Sequence, residues 1–167
     1  MPPKTILTWS DIDIYVENII NSIESFKFTP DILVSVGRGG MIPTRMISDY
    51  FLKAEVIYVP YKTYVVGGYT QTQHQPIISL SLLDDIIKGQ NILLIDDISD
   101  SGSTLMRCQD MIHNYAKFRC CNTHFKVYSS SLVTKKRWQP LFKGITLDNE
   151  NWIVFPWEKN EFEKGDI

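Results

Sequence analysis

The chain has 167 residues, 44% of them hydrophobic, which suits one α/β domain and leaves no room for a second domain of comparable size. Its formal net charge of −2 gives no electrostatic reason to expect nucleic acid or an anionic membrane as a partner. The N-terminal residues lack the apolar run of a signal peptide and no stretch is long enough to span a bilayer, so we expect a cytoplasmic protein.

Helices and strands alternate along the predicted chain. Ser10 is placed to cap a first helix over about 11–26, in which apolar residues recur at helical spacing. The elements predicted after it are a strand over 31–36, a helix over 41–52, a strand over 55–60, a short helix near 82–88, a buried strand over 92–95, a helix over about 102–117 and a strand over 125–132. This alternation favours an α/β fold with a central, mostly parallel sheet flanked by helices and with ligands at the carboxyl ends of the strands.

Residues 61–76 form a polar, Gly-containing stretch without a clear period. The stretch is long for a connection inside one domain, and connections of this length are usually functional. We therefore predict a flexible lid loop over about 61–76.

Cysteines and histidines give no indication of a metal site. The three histidines are scattered, and the cysteines lack the spacing of metal ligands. We interpret Cys108, Cys120 and Cys121 as reduced, structural thiols.

The most informative motif follows the predicted strand 92–95, where Asp96 and Asp97 precede a turn of small, hydroxylated residues. The turn and the helix N-terminus behind it can bind a phosphate, whereas the two carboxylates suit ribose hydroxyls and a metal ion. An Asp-rich turn that only caps a helix is the simpler alternative, but it does not explain strand, acid pair and turn together. The residues assigned to the phosphate are Ser99, Asp100, Ser101, Gly102, Ser103 and Thr104.

A second turn of the same kind follows the predicted strand 31–36. Its residues are Gly37, Arg38, Gly39 and Gly40, whose amides and guanidinium suit a pyrophosphate. Taken alone, a tight connection between a strand and a helix explains this turn about as well.

A third group lies near the C-terminus, where Trp152 and Ile153 precede Phe155, Pro156 and Trp157. A hydrophobic edge strand closed by Pro156 is the simpler interpretation, and we prefer it for Phe155 and Trp157. Trp152 is different, because an aromatic face beside a sugar-phosphate site can stack on a planar base while backbone groups of Ile153 read the edge of that base.

These three motifs, which extend from about Asp31 to Glu158, resemble the type I phosphoribosyltransferase family. The acid pair and its turn resemble the signature for phosphoribosyl pyrophosphate (PRPP), and the Gly-Arg-Gly-Gly turn resembles the pyrophosphate loop. The C-terminal segment is similar to the base-binding end of the short bacterial and archaeal 6-oxopurine enzymes, which act on hypoxanthine, guanine or xanthine. The resemblance implies one phosphoribosyltransferase domain over 1–167, with a base-binding hood over about 132–158.

The resemblance also implies roles for single residues. Lys135 would contact the exocyclic O6 of the purine. The rival interpretation is that Lys135, Lys136 and Arg137 form a solvated cluster, and we prefer it for Lys136 and Arg137. Asp100 would be the general base near N7, with its protonation state left open. Mg²⁺ would bridge pyrophosphate and ribose, reaching Asp96 and Asp97 through water. The family further implies a cis peptide bond at Gly37–Arg38.

Three features depart from the family pattern. The stretch 61–76 lacks the usual Ser-Tyr pair of the catalytic loop, and Ser101 replaces a more usual Thr. Val154 stands where some xanthine-accepting relatives have an acidic residue. Xanthine is therefore expected to be a poorer substrate than hypoxanthine or guanine.

The resemblance implies a purine salvage enzyme that transfers 5-phosphoribose from PRPP to hypoxanthine or guanine and releases pyrophosphate. It is expected to be a homodimer or homotetramer. Two alternatives on the same fold remain. A PRPP-sensing regulator should carry a nucleic-acid-binding module or a basic face, and neither is visible. A pyrimidine phosphoribosyltransferase calls for a base-contacting end other than Trp152-Ile153.

Overall fold

A computed structural model describes residues 3–66, 71–119 and 125–158 of the chain. Within these residues, no helix has the length and the apolar character needed to cross a membrane. The elements are β1 (Lys4–Ile6), α1 (Trp9–Ser25), β2 (Ile32–Val36), α2 (Met41–Ser48), β3 (Glu55–Val59), β4 (Tyr61–Val66), β5 (Gln71–Pro76), α3 (Leu80–Ile86), β6 (Asn91–Ser99), α4 (Ser103–Arg119), β7 (Lys126–Thr134), β8 (Phe142–Thr146) and β9 (Trp152–Val154).

A five-stranded sheet in the order β3-β2-β6-β7-β8 forms the centre of the fold, and all of its pairings are parallel. The central strand β6 is buried on both faces. Leu93 and Ile95 pack into the apolar cluster that includes α1 and α2, whereas Ile92 and Leu94 pack into the cluster that includes α3 and α4. The prediction of an α/β fold with a parallel sheet flanked by helices is confirmed.

Several predicted boundaries are wrong by a few residues. Helix α1 begins at Trp9, and its cap is Thr8 and not Ser10, because Thr8 and Asp11 form a reciprocal capping box. Helix α2 ends at Ser48 and does not reach residue 52. Strand β6 continues beyond Ile95 because Asp96 pairs with Ser131 and Ser99 pairs with Thr134. The acid pair therefore lies within the last part of the strand.

Residues 61–76 do not form the irregular loop that the sequence predicts. Strands β4 and β5 pair in antiparallel register from Tyr61↔Pro76 to Val66↔Gln71. The prediction missed these strands because the segment lacks the alternation of apolar and polar residues that identifies a strand with one buried face. Residues 67–70 lie outside the described residues, and flexibility of the segment stays a prediction.

The N-terminus holds the C-terminal segment in place. Strand β1 pairs in parallel with β9, the Trp152 amide donates to the Pro3 carbonyl at 2.8 Å, and the Leu7 amide donates to the Val154 carbonyl at 2.9 Å. The sequence predicted neither β1 nor β8. A three-residue strand such as β1 is too short to show a period, so only its pairing identifies it.

The thiol of Cys108 is free and buried, in agreement with its predicted structural role. Burial raises the pKa of this thiol to about 12, so it carries no charge at neutral pH. Cys120 and Cys121 lie outside the described residues.

Candidate active site

The turns after β2 and β6 lie side by side because these two strands are neighbours in the sheet. They enclose a cavity of about 340 Å³, which we call the strand-end cavity. The residues that line it are Val36, Gly37, Tyr61, Asp96, Asp97, Ile98, Ser99, Asp100, Ser101, Gly102, Ser103, Thr104 and Leu105. All six residues that the sequence assigned to a phosphate, and both members of the acid pair, are therefore in the wall of one cavity.

The turn after β6 has the geometry of an anion-binding turn. Gly102 takes a left-handed φ of +76°, and a Cβ at this position would stand 2.2 Å from Cε3 of Trp138. Only glycine fits there, and the chain then enters the 17-residue helix α4 at Ser103. The first N–H groups of a helix have no intrahelical partners, and the Ser103 amide has only a long contact of 3.4 Å to Ser101 Oγ, so the start of α4 can receive an anion from the cavity.

The hydroxyl of Ser99 adds a second indication of a ligand at this turn. Ser99 is 3% exposed, and its Oγ has no hydrogen-bond partner among the described residues. A buried hydroxyl without a partner is costly, and a bound phosphate oxygen would satisfy it.

The carboxyls of Asp96 and Asp97 resist ionisation. Asp96 accepts from the Asp97 amide at 3.0 Å, and Asp97 accepts from the Ile98 amide at 2.8 Å. Burial, and after it the charge of Asp97, raises the pKa of Asp96 well above its ordinary value. Burial raises the pKa of Asp97 to about 6; hydrogen bonds from Asp96 and Ile98 oppose this rise and the charge of Glu158 adds to it. A divalent cation would favour the ionised form of both groups.

Oxygen donors of this kind suit Mg²⁺, which keeps several water or substrate ligands of its own. Among the described residues, no three His, Cys, Asp or Glu side chains come together in a metal-binding group. The acid pair would therefore supply only part of the coordination of a metal ion, directly or through water.

The turn after β2 takes its shape from two of its glycines. Gly37 lines the strand-end cavity with a left-handed φ of +63°. Gly40 is buried, and a Cβ there would lie 2.5 Å from the carbonyl oxygens of Val36 and Ile95. The predicted cis bond at Gly37–Arg38 is wrong, because every peptide bond in the described residues is trans and the left-handed Gly37 makes the turn. The side chain of Arg38 is exposed.

A second cavity, of about 280 Å³, lies under the C-terminal segment, and we call it the hood cavity. The residues that line it are Asp97, Ile98, Asp100, Lys135, Glu150, Asn151, Trp152, Ile153, Phe155 and Glu158. The structure thus brings together all three residues that the sequence assigned to a base, namely Lys135, Trp152 and Ile153. Trp152 is 47% exposed and lines this cavity, so its side chain is accessible to a ligand there.

Lys135 is only 8% exposed, so the interpretation of this residue as part of a solvated cluster is wrong. Its Nζ donates to the carbonyl of Asn149 at 2.7 Å and to that of Asn151 at 3.0 Å, and lies 3.4 Å from Asn149 Oδ1. The ammonium group thereby holds the loop before β9. Lys136 and Arg137 are exposed, as predicted.

Phe155 and Trp157 are packing residues, as the sequence indicates. Phe155 is 2% exposed, and its ring stacks on Trp157 at 4.7 Å between centroids. Phe155 nevertheless contributes to the wall of the hood cavity. Val154 is buried and does not line this cavity, so the side chain at position 154 is not directed at a ligand there.

Sequence reasoning missed three residues of the site. Glu158 lines the hood cavity and accepts from the Phe155 amide at 3.0 Å. Trp138 covers Gly102, and Tyr61 lines the strand-end cavity. Tyr61 lay in the predicted lid, and Trp138 and Glu158 lay in the predicted hood, but no local motif singles out any of the three because their contacts with the site follow from the fold.

The two cavities share Asp97, Ile98 and Asp100 as a common border. One ligand that offers phosphates and sugar hydroxyls can bind on the strand-end side, and a planar ligand can bind on the hood side. Asp100 stands at the place where the two would meet. This arrangement can join the two ligands by a bond between them.

Comparison with known proteins identifies the family of the chain. Residues 6–159 match the family described as phosphoribosyl transferase domain. A hypoxanthine-guanine phosphoribosyltransferase of Schizosaccharomyces pombe is 24% identical over 173 residues, covering 83% of this chain and 82% of that protein. A xanthine-guanine phosphoribosyltransferase of a Ruegeria species is 28% identical over 128 residues, covering 75% of this chain and 67% of that protein. The crystal structure of a purine phosphoribosyltransferase from Pyrococcus horikoshii covers 92% of this chain and 93% of its own, with a TM-score of 0.71 at 24% identity, and shares the fold.

Proposed function

The chain belongs to the phosphoribosyl transferase domain family, and on that premise we propose that it transfers 5-phosphoribose from PRPP to hypoxanthine or guanine. The products are pyrophosphate and a purine nucleotide, as purine salvage requires. The observation that carries the proposal is the border of Asp97, Ile98 and Asp100 between the strand-end cavity and the hood cavity.

In this proposal the strand-end cavity binds PRPP. The turn from Ser99 to Thr104 holds the 5′-phosphate, and the turn from Gly37 to Gly40, with Arg38, holds the pyrophosphate. Asp96 and Asp97 accept hydrogen bonds from the ribose hydroxyls and would hold Mg²⁺, directly or through water. The bound Mg²⁺ would supply positive charge for the departing pyrophosphate.

The reaction breaks the bond between the ribose C1′ and the pyrophosphate oxygen and forms a bond from C1′ to a purine nitrogen. The protein contributes mainly by positioning the two ligands and by keeping water away from a cationic sugar. Asp100 lies at the border of the cavities and would accept the proton that the purine loses near N7.

The hood cavity sets the choice of base. Trp152 stacks on the purine ring, and the Ile153 backbone carbonyl accepts from the amino group of guanine. Two N–H groups of Lys135 are held by the Asn149 and Asn151 carbonyls, and the third has only the 3.4 Å contact to Asn149 Oδ1. This third N–H is the donor for O6, and it would be left unpaired by the amino group of adenine.

Steady-state assays with PRPP, Mg²⁺ and a panel of bases test the proposal. We expect turnover of hypoxanthine and guanine, slower turnover of xanthine, negligible turnover of adenine, and loss of activity when EDTA removes the metal. Tight PRPP binding without turnover of any base would favour a PRPP-sensing regulator. Efficient use of orotate or uracil would favour a pyrimidine enzyme.

We further propose that residues 1–167 act as one domain in the cytoplasm and assemble as a homodimer or homotetramer. Light scattering of the purified protein measures the assembly directly. A monomer at the concentrations used for the assays would contradict this part of the proposal without affecting the assigned reaction.

A further inference from the structure

A hydrogen bond between two side chains joins β1 to the wall of the hood cavity. The side-chain amide of Asn151, the residue before β9, donates from Nδ2 to Thr5 Oγ1 in β1 at 3.1 Å. The two strands pair in parallel, and Thr5 stands opposite Ile153 in this pair. Asn151 lines the hood cavity, whereas Thr5 is half-buried and does not line it. A residue outside the cavity is thus bonded directly to a residue of its wall.

Asn151 also binds the ammonium group of Lys135. Its backbone carbonyl accepts from Lys135 Nζ at 3.0 Å. Its backbone amide donates to Asn149 Oδ1 at 3.2 Å, and Lys135 Nζ lies 3.4 Å from the same oxygen. A displacement of Asn151 would therefore move one acceptor of the ammonium group directly and would also disturb the Asn149 oxygen beside it.

The direction of the third N–H group of Lys135 depends on the other two. An ammonium group has three N–H donors at fixed angles to one another, so two carbonyl acceptors determine where the third donor points. These acceptors are the carbonyls of Asn149, at 2.7 Å, and Asn151, at 3.0 Å. Because Lys135 is only 8% exposed, water has little access to replace an acceptor that moves away. The position of the Asn151 carbonyl therefore sets the direction of the third N–H group.

Building on the proposed function, we infer that Thr5 is a positioning residue for the purine: its hydroxyl holds Asn151, whose carbonyl directs the third N–H group of Lys135 at O6. Thr5 lies outside the cavity and acts only through these two residues. The selection of a 6-oxopurine over a 6-aminopurine then depends on a residue that lies 146 positions before Asn151 in the chain.

The preference for hypoxanthine over adenine tests this inference. It is measured as the inhibition constant of adenine divided by the KM for hypoxanthine, a ratio that does not depend on the amount of folded protein. Thr5→Val keeps the branched shape and removes the hydroxyl, so we expect this ratio to fall by about threefold to tenfold with an unchanged KM for PRPP. Asn151→Ala removes the same hydrogen bond from the other side and should also lower the ratio.

Two further variants separate the hydrogen bond from the packing of β1 on β9. Thr5→Ser retains the hydroxyl and should keep the wild-type ratio. In a Lys135→Ala background, Thr5→Val should cause no further fall, because Thr5 acts through Lys135. Thr29→Val is the matched control, since Thr29 is exposed and lines neither the strand-end cavity nor the hood cavity.

Three results would overturn the inference. The first is a wild-type ratio in Thr5→Val, and the second is a fall in Thr5→Ser as large as that in Thr5→Val. The third is an equal fall in the wild-type and Lys135→Ala backgrounds, which would mean that the effect of Thr5 does not pass through Lys135. A wild-type protein that turns over no purine would instead overturn the proposed function, so the two failures are distinguishable.

Discussion

The carboxylate of Asp97 lies directly against Gly39. A Cβ added at residue 39 would stand 1.8 Å from Oδ2 and 2.3 Å from Cγ of Asp97, so no side chain fits between the two residues. The contact exists because β2 and β6 are neighbours, which places the turn after one strand beside the acid pair of the other. Because residue 39 has no side chain, Asp97 can lie at the border of the two cavities.

The substitution Gly39→Ala should raise the KM for PRPP by about tenfold, because the new methyl group displaces the Asp97 carboxylate. Gly39 has no left-handed φ, so the backbone accepts alanine and the fold should persist. Steady-state kinetics in the wild-type background and in an Asp97→Ala background test whether the effect of Gly39→Ala depends on Asp97. If Gly39→Ala weakens PRPP use equally in both, its effect does not pass through Asp97.

Replacing either acid, as Asp96→Asn or Asp97→Asn, should weaken PRPP use by about tenfold to a hundredfold while the protein stays folded. An amide cannot attract Mg²⁺ as a carboxylate does, and it offers one acceptor oxygen where the carboxylate offers two. Kinetics at saturating purine measure the use of PRPP, and circular dichroism measures whether the protein stays folded. Asp110→Asn, on the exposed side of α4, is the control and should behave as the wild type. Unchanged PRPP kinetics in both acid variants would remove the pair from the site.

The stability of the ligand-free protein should fall as the pH rises from about 4 to about 6. The pKa of Asp97 is about 6 in the folded protein against 3.8 for the ordinary group, so in this window the unfolded chain releases a proton that the folded protein retains. The penalty from Asp97 is absent below this window and complete above it, and it is on the order of 3 kcal/mol. Chemical denaturation across this pH range measures the slope.

Asp97→Asn is the matched control for the pH effect, since the amide oxygen can still accept from the Ile98 amide but does not titrate. The variant should show a flatter pH dependence and a higher free energy of unfolding at pH 7 than the wild type. A wild-type slope retained in the variant would assign the titration to another group.

Replacing Lys135 with alanine should reduce the preference for hypoxanthine over adenine by at least about tenfold, because the donor to O6 is lost. The Tm should also fall, since Nζ holds the Asn149 and Asn151 carbonyls. The ratio of kcat/KM for the two bases is measured within one variant, so it does not depend on the change in stability. Lys136→Ala, at an exposed position, should keep the wild-type ratio. An unchanged ratio in Lys135→Ala would place the base elsewhere.

Local patterns in the sequence determined the central part of the fold and the composition of the site. The aliphatic run before Asp96 is buried on both faces, as predicted, because a strand covered by helices on each side needs apolar residues throughout. The glycines and hydroxyls after β2 and β6 were recognisable for a related reason. Tight turns and anion binding require particular residue types within a few positions of one another.

Only the tertiary structure decided the contacts between these local parts. The packing of Trp138 on Gly102 and of Asp97 on Gly39 joins residues that belong to different motifs. Likewise, β1 pairs with β9 at the opposite end of the chain, and Lys135 is buried although its neighbours in the sequence are exposed. The order of strands in the sheet brings such residues together, and no local periodicity records that order. The residue types that can do the chemistry can therefore be recognised from the sequence. Their burial follows from the fold, and this burial raises the pKa values of the acid pair.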